Sequence, residues 1–471
     1  MNILFFNEKN EKEDTLSSLC SKEIWCAVLN VGTWWSTIVS LIFICLLMKI
    51  TSDDALNFYV PLTYCVGLSM LISAPLNGLI SDALSDDIFK EYYHTVLNTL
   101  TGALTIVLLL AFALTFLLHL CFSKQSYIDG LIFSVLTASM SALWVCINVM
   151  TVLKKKRGVL WSFWFGLTLT LILSIGVRYF LLPLLHLTPE TLSQVLSRLT
   201  MAELSLGFTL AAGIQYGYLF KTYQYGKMEP EYSWFRVTDK NKVVFFFFLF
   251  FNLGMWIDKI LYWYWPDVGK KLNPEELFFR YSDYDTPFFW AFTLFSFCQL
   301  LILRRLEELL QEPQKSFYEG LNINLPFKHL DEKKQEFIAG YRKILNSIFF
   351  LYGPIVFMLL SSISMNFIEL PWENPFVFHL LLIATLVLGI FFLNLIVLQY
   401  TDQYLLAMLL CAIFLLLNFA GTYLVIFFDL RSYQGAGFLT ASLVTTAISW
   451  YFVEHYLGRL EYVATKNIAI F

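Results

Sequence analysis

The sequence predicts an all-α, polytopic membrane protein of about twelve transmembrane helices arranged as two six-helix halves, and three observations carry that prediction. The 471 residues are 58% hydrophobic, 18% aromatic and only 14% charged, whereas an average soluble domain is roughly 25% charged. Twelve apolar runs approach the roughly 20 residues needed to cross a hydrocarbon slab about 30 Å thick. The pattern Asn-x-Gly-x-Trp occurs twice, as Asn30-Val31-Gly32-Thr33-Trp34 and as Asn252-Leu253-Gly254-Met255-Trp256.

In chain order, residues 1–24 form a polar N-terminal segment with no apolar core, so the first span is expected to act as the targeting signal. The twelve spans begin near Trp25, Asn57, Val96, Ile128, Val159, Leu196, Val243, Tyr284, Tyr341, Pro375, Gln403 and Gly437. Prolines interrupt the second (Pro61, Pro75) and the eighth (Pro287), which membrane bundles tolerate. If the repeated motif marks equivalent helices, residues 25–220 are the first half, 221–242 a linker, 243–457 the second half and 458–471 a tail. Six spans per half is an even number, so both halves insert the same way up as parallel repeats, a plan that places a substrate route between them. Within the second half, Leu306–Gly340 is the longest polar insertion; it begins as a mixed-charge helical extension that runs to Pro313.

Lys and Arg collect in alternate loops: Lys154 to Arg157, Lys221 to Lys242, and Arg304 to Lys343. Twelve crossings put all three on one side, and the positive-inside rule makes that side, with both termini, cytoplasmic. The exception is the loop after the seventh span, where Lys270, Lys271 and Arg280 mix with Asp267, Glu275, Glu276 and Asp283.

Several function classes are disfavoured. No Walker A, GxSxG or HExxH pattern occurs, and the eight cysteines lie mostly within apolar runs without metal-ligand spacing, so no metal or cofactor is expected. A net charge of −4 gives no basic footprint for nucleic acid. Gly78-Leu79-Ile80-Ser81-Asp82 resembles the start of the major-facilitator loop motif, but Ala83, Leu84, Ser85 and Asp86 replace its basic continuation.

The most informative stretch is Val243 to Trp265, which is long enough to span a bilayer and carries Asp258 and Lys259 side by side. A charge at mid-membrane costs on the order of 2.5–3.5 kcal/mol on insertion scales, so either the pair is self-satisfied or near an interface, or it faces a polar path. Arg178 and Glu203, on consecutive spans, are candidates for a structural ion pair. His119, Arg198 and His455 lie near span ends, where reaching for headgroups is the ordinary explanation. Trp34 and Trp256, at equivalent places in the two halves, are candidate platforms for the apolar faces of sugar rings.

Trp256-Ile257-Asp258-Lys259-Ile260-Leu261-Tyr262-Trp263 resembles the Trp-x-Asp-Lys-x-x-(Phe/Tyr)-Trp segment of the PelG family, the membrane exporter subunit of Pel exopolysaccharide machines. Tyr284-Asp285-Thr286-Pro287, Leu303-Arg304-Arg305-Leu306-Glu307 and Phe317-Tyr318 resemble further landmarks of that family, while Gly32-Thr33-Trp34 departs from its usual Gly-Pro-Trp. The resemblance implies a fold similar to the multidrug/oligosaccharidyl-lipid/polysaccharide flippases. It also implies export of an aminosugar polymer across the inner membrane of a bacterium, beside a cytoplasmic glycosyltransferase and other membrane subunits of a Pel-type synthase. Arg304, Arg305, Glu307, Phe317 and Tyr318 would then be candidates for partner docking, and a cationic polymer would give Asp82, Asp86, Asp258, Asp283 and Asp285 the character of an acidic track. Two alternatives stay open: an ion-coupled antiporter or lipid-linked oligosaccharide flippase on the same fold, and a membrane-embedded glycosyltransferase, for which only the loop from Pro266 to Asp283 offers room.

Overall fold

Eleven helices long and apolar enough to cross a membrane make up most of the computed structural model, which describes residues 52–181, 189–223, 229–235, 238–272, 277–322, 326–365 and 374–461. The expected first span with Trp34, the segment 1–24 and most of the 458–471 tail lie outside the described residues. The helices are α1 (Ser52–Phe89), α2 (Thr95–Phe122), α3 (Tyr127–Val152), α4 (Lys156–Gly176), α5 (Pro189–Tyr223), α6 (Asp239–Tyr264), α7 (Asp285–Leu306), α8 (Glu312–Asn322), α9 (Phe327–Ser347), α10 (Gly353–Ser364), α11 (Pro375–Tyr400), α12 (Tyr404–Phe427) and α13 (Ala436–Gly458). A two-stranded antiparallel hairpin, β1 (Lys270–Lys271) with β2 (Arg280–Tyr281), joins α6 to α7.

Two apolar cores divide the bundle. One gathers Phe58, Leu100, Phe133, Val149, Phe163 and Phe208 from α1 to α5; the other gathers Phe295, Tyr341, Leu388, Phe414 and Phe438 from α7 to α13. Helix α6 serves both: its Val244 and Trp263 belong to the first core and its Phe247 and Tyr262 to the second. Outside the cores, Leu109, Leu117, Phe180, Phe350, Phe357, Leu416 and Tyr451 are exposed, as a lipid-facing surface requires.

Local chemistry sets the helix starts. Thr238 caps α6 by accepting the Asn241 N–H at 3.1 Å, so the span begins at Asp239, a turn before the apolar run. Pro61 and Pro75 are absorbed inside the 38-residue α1. The extension after α7 does not stop at Pro313. A π-helical turn, Glu307–Gln311, leads straight into α8, and the chain stays helical through Pro313. Most of the polar insertion is thus helical, and α9 runs through a second π turn, Ile348–Tyr352, into α10 as one candidate span from Lys328 to Ser364.

Candidate functional site at the seam between the halves

Helix α1 of the first half lies along α6 of the second, and the fit is one of notch and ridge. A Cβ at Gly78 would meet the Phe248 ring at 2.2 Å, and one at Gly67 would meet the Trp256 ring at 3.1 Å, so both glycines are what permits the close approach. Tyr64 stacks on Trp263 with ring centroids 4.5 Å apart. Beyond it the hairpin loop reaches back from the second half: Phe278 and Phe279 are buried in the first core, Phe279 edge-on to Phe133 at 5.2 Å. At the other, lysine-rich end, Lys240 of α6 pairs with Asp82 of α1 at 2.8 Å, and the charges of Asp86 and Asp402 also act on it. The seam is therefore closed at both ends and along its length.

In the last two turns of α6, Asp258 and Lys259 are both buried, together with Asp285, the first residue of α7. Adjacent residues on a helix point apart, and the two side chains do not pair with each other. Asp258 turns towards the second half, where Tyr284 donates its hydroxyl to Oδ2 at 2.6 Å, while the Lys259 backbone N–H donates to Oδ1 at 2.8 Å. Lys259 places its Nζ 3.7 Å from the centroid of Phe288, one turn along from Tyr284, and 4.4 Å from that of Trp256. These are cation–π distances. Asp285 and Asp258 balance its charge through space. Asp285 in turn accepts from Trp263 Nε1 at 2.9 Å on both oxygens and from the Ser282 N–H at 2.9 Å. One indole donor, a tyrosine hydroxyl and an ammonium held by ring faces thus form one cluster where α1, α6 and α7 meet.

The expected acidic track does not form as one surface. Asp283 is exposed and paired with Lys270 at 2.7 Å. Asp82 is engaged with Lys240, and the carboxylates of Asp258 and Asp285 are occupied by aromatic donors. Nor do Arg178 and Glu203 pair. Glu203 accepts from Ser174 of the neighbouring helix, and the ion pair of that region is Arg198 with Asp129, two parallel hydrogen bonds of 2.5 and 2.8 Å. Arg198 therefore does not snorkel, and Asp129 also closes a capping box with Ser126 at the start of α3. His119 is buried as well, against Gly130. Of the docking candidates, Phe317 is fully buried between α8 and its neighbours and offers no surface, Tyr318 is half-buried and Arg305 is exposed; the side chains of Arg304 and Glu307 lie outside the described residues.

Sequence reasoning missed Tyr284 as a partner, Lys240, Asp402 and Asp129. Only Tyr284 left a signal, as a polar aromatic beside Asp285 at the start of a span.

The fold is one that solved structures of MATE and other MOP superfamily transporters share. Solved structures with this fold include a MATE in complex with MaL6 (10% identity, TM-score 0.58), a MOP superfamily transporter from Pyrococcus furiosus whose binding pocket has reversed polarity (11%, 0.57) and a multidrug resistance MATE family transporter in an outward-facing conformation (11%, 0.59). Each is covered over 96% of its length by 93% of this chain. Residues 8–464 match the PelG family, described as "Putative exopolysaccharide Exporter (EPS-E)", and the chain belongs to that family. No curated protein matches it in sequence.

Proposed function

We propose that this chain passes an aminosugar-containing, Pel-like exopolysaccharide across the cytoplasmic membrane of a bacterium, between its two six-helix halves, with both termini in the cytoplasm. A cytoplasmic glycosyltransferase delivers the growing polymer at the lysine-rich end, near Leu306–Gly340. The observation that carries this reading is the cluster of Asp258, Lys259 and Asp285, buried beside the half-buried Trp256 at the junction of the two half-cores in a chain of an exporter family. Ionisable groups at such depth are costly unless function retains them. Lys259 has three N–H donors against ring faces, which suits hydroxyl and N-acetyl carbonyl acceptors, and Trp256 adds an aromatic face for a sugar ring. Parting of the α1–α6 seam would expose both.

The test is the sugar composition of secreted polysaccharide from cells deleted for this gene and complemented with wild type or Asp258→Ala at matched protein levels. Loss of an aminosugar polymer that only the wild type rescues supports the reading. Unchanged secreted glycan overturns it. For the partner, deletion of residues 306–340 should abolish co-purification of the glycosyltransferase; retained enzyme would remove the docking role.

A further inference from the structure

At the lysine-rich end of the first half, helices α4 and α5 part to leave a cleft of about 470 Å³ that the transport reading does not use. The two helices meet tightly further along, where Gly166 and Gly207 face each other: a Cβ on Gly166 would lie 2.3 Å from the Gly207 carbonyl oxygen. From that contact they diverge. Arg157, Trp161 and Phe165, spaced i, i+4, i+8, line one wall from α4, and Ile214 and Tyr218, spaced i, i+4, line the other from α5. Lys154 and Lys155 close the rim with Arg157. Trp161, Phe165 and Tyr218 are all exposed, so the walls open towards lipid and not towards the bundle interior. A basic rim above apolar and aromatic walls at a helix end has the composition of a headgroup-level site.

A second observation, independent of the rim, points to a ligand. Gln215 is completely buried at the cleft wall. Gln215 Nε2 donates to the Ser162 hydroxyl at 2.7 Å, and that hydroxyl donates to the Val159 carbonyl at 2.8 Å. In this arrangement Gln215 Oε1 has no partner among the described residues. A buried carbonyl oxygen without a donor costs on the order of 1–3 kcal/mol, so a donor is expected there.

We propose that this cleft binds one anionic glycerophospholipid with a hydroxyl-bearing headgroup: the phosphate sits among Lys154, Lys155 and Arg157, a headgroup hydroxyl donates to Gln215 Oε1, and the acyl chains lie along Trp161, Phe165 and Tyr218. The requirement is a phosphodiester together with a hydroxyl donor, which phosphatidylglycerol supplies and phosphatidylcholine does not. The site is separate from the inter-half seam and stands whether or not the polymer assignment does.

The test is quenching of tryptophan fluorescence in the full-length protein reconstituted with brominated phosphatidylglycerol or brominated phosphatidylcholine. Excess quenching by the former is expected, removed by Trp161→Phe and weakened about fivefold in lipid affinity for each of Lys155→Gln and Arg157→Gln. Gln215→Leu should lower the preference for phosphatidylglycerol over phosphatidic acid, which lacks the headgroup hydroxyl, while wild-type melting temperature and size-exclusion profile check that each variant folds. Equal quenching by the two lipids, or an excess that survives loss of both cations, overturns the proposal. So does an excess abolished by millimolar inorganic phosphate, which would assign the cleft to a soluble anion.

Discussion

Tyr284 donates its hydroxyl to Asp258 across 2.6 Å, tying the residue before α7 to the C-terminal part of α6 with both side chains fully buried. The bond gives Asp258 a partner other than its neighbour Lys259, whose ammonium rests on Phe288 and Trp256 instead. Tyr284→Phe keeps the ring and removes the donor. A hydrogen bond to a charged group contributes about 1.5–3 kcal/mol, so the variant should melt several degrees lower in detergent. Export should fall at matched protein level, because Asp258 would then turn to Lys259. Unchanged melting would mean that the hydroxyl contributes nothing to the junction.

Lys259→Met should separate packing from charge. Methionine fills the space between Trp256 and Phe288 but carries no N–H donor. The expected outcome is a protein of near wild-type abundance that exports less than a tenth of the polymer. Full export by Lys259→Met would exclude the ammonium from the path.

The Gly78–Phe248 contact predicts a size-compensation pair. Gly78→Leu places side-chain atoms where the Phe248 ring stands, and overpacking of this kind costs about 1–3 kcal/mol. Phe248→Ala should leave a cavity and lower stability on its own, whereas the two together should melt above either single variant. Additive losses in the thermal melts would show that the notch and ridge do not meet.

The span starts were legible in the sequence because eighteen or more apolar residues in a row have few other uses. The expected starts at Val96, Ile128, Leu196, Pro375 and Gln403 fall within a residue or so of α2, α3, the apolar part of α5, α11 and α12. Where a start was misplaced, polar residues had extended the helix: α9 begins at Phe327 and not near Tyr341 because its first turns are amphipathic and rest on the helices below. Asp258, Lys259 and Asp285 stood out because charges in apolar runs are conspicuous, and the structure gathers them at one junction. Their partners were not legible. Tyr284 with Asp258, Lys240 with Asp82, and Arg198 with Asp129 join residues from different helices, and which face of each helix meets which neighbour is decided by packing around glycines such as Gly67 and Gly78 rather than by any local pattern. The expected pairing of Arg178 with Glu203 did not form: Glu203 accepts instead from Ser174, a turn before Arg178.

Arg198 and Asp129 should behave as a structural pair. The bond is bidentate, Asp129 is mostly enclosed and Arg198 about a third exposed, so solvent screens part of the attraction and Arg198→Ala should cost about 1–2 kcal/mol. Arg198→Lys cannot reproduce the two parallel bonds and should recover less than half of that. Export per folded molecule should stay at the wild-type level in both, as read from secreted polymer normalised to membrane protein.

The Lys240–Asp82 pair makes the most direct prediction about conformational change. It bridges the two halves at the lysine-rich end, on the seam that also holds Gly78 against Phe248, so a polymer entering there requires the pair to part. Asp82→Cys with Lys240→Cys, in a background whose other cysteines are replaced, places two thiols across the seam. A short bis-maleimide should join them and stop export, while either single variant treated in the same way keeps exporting. Asp82→Lys with Lys240→Asp restores an attractive pair in reversed order and should export better than either charge change alone, since each single change sets like charges face to face. Continued export through a fully cross-linked protein would mean that the polymer passes without opening this seam, and the route would then have to run along the other face of α6.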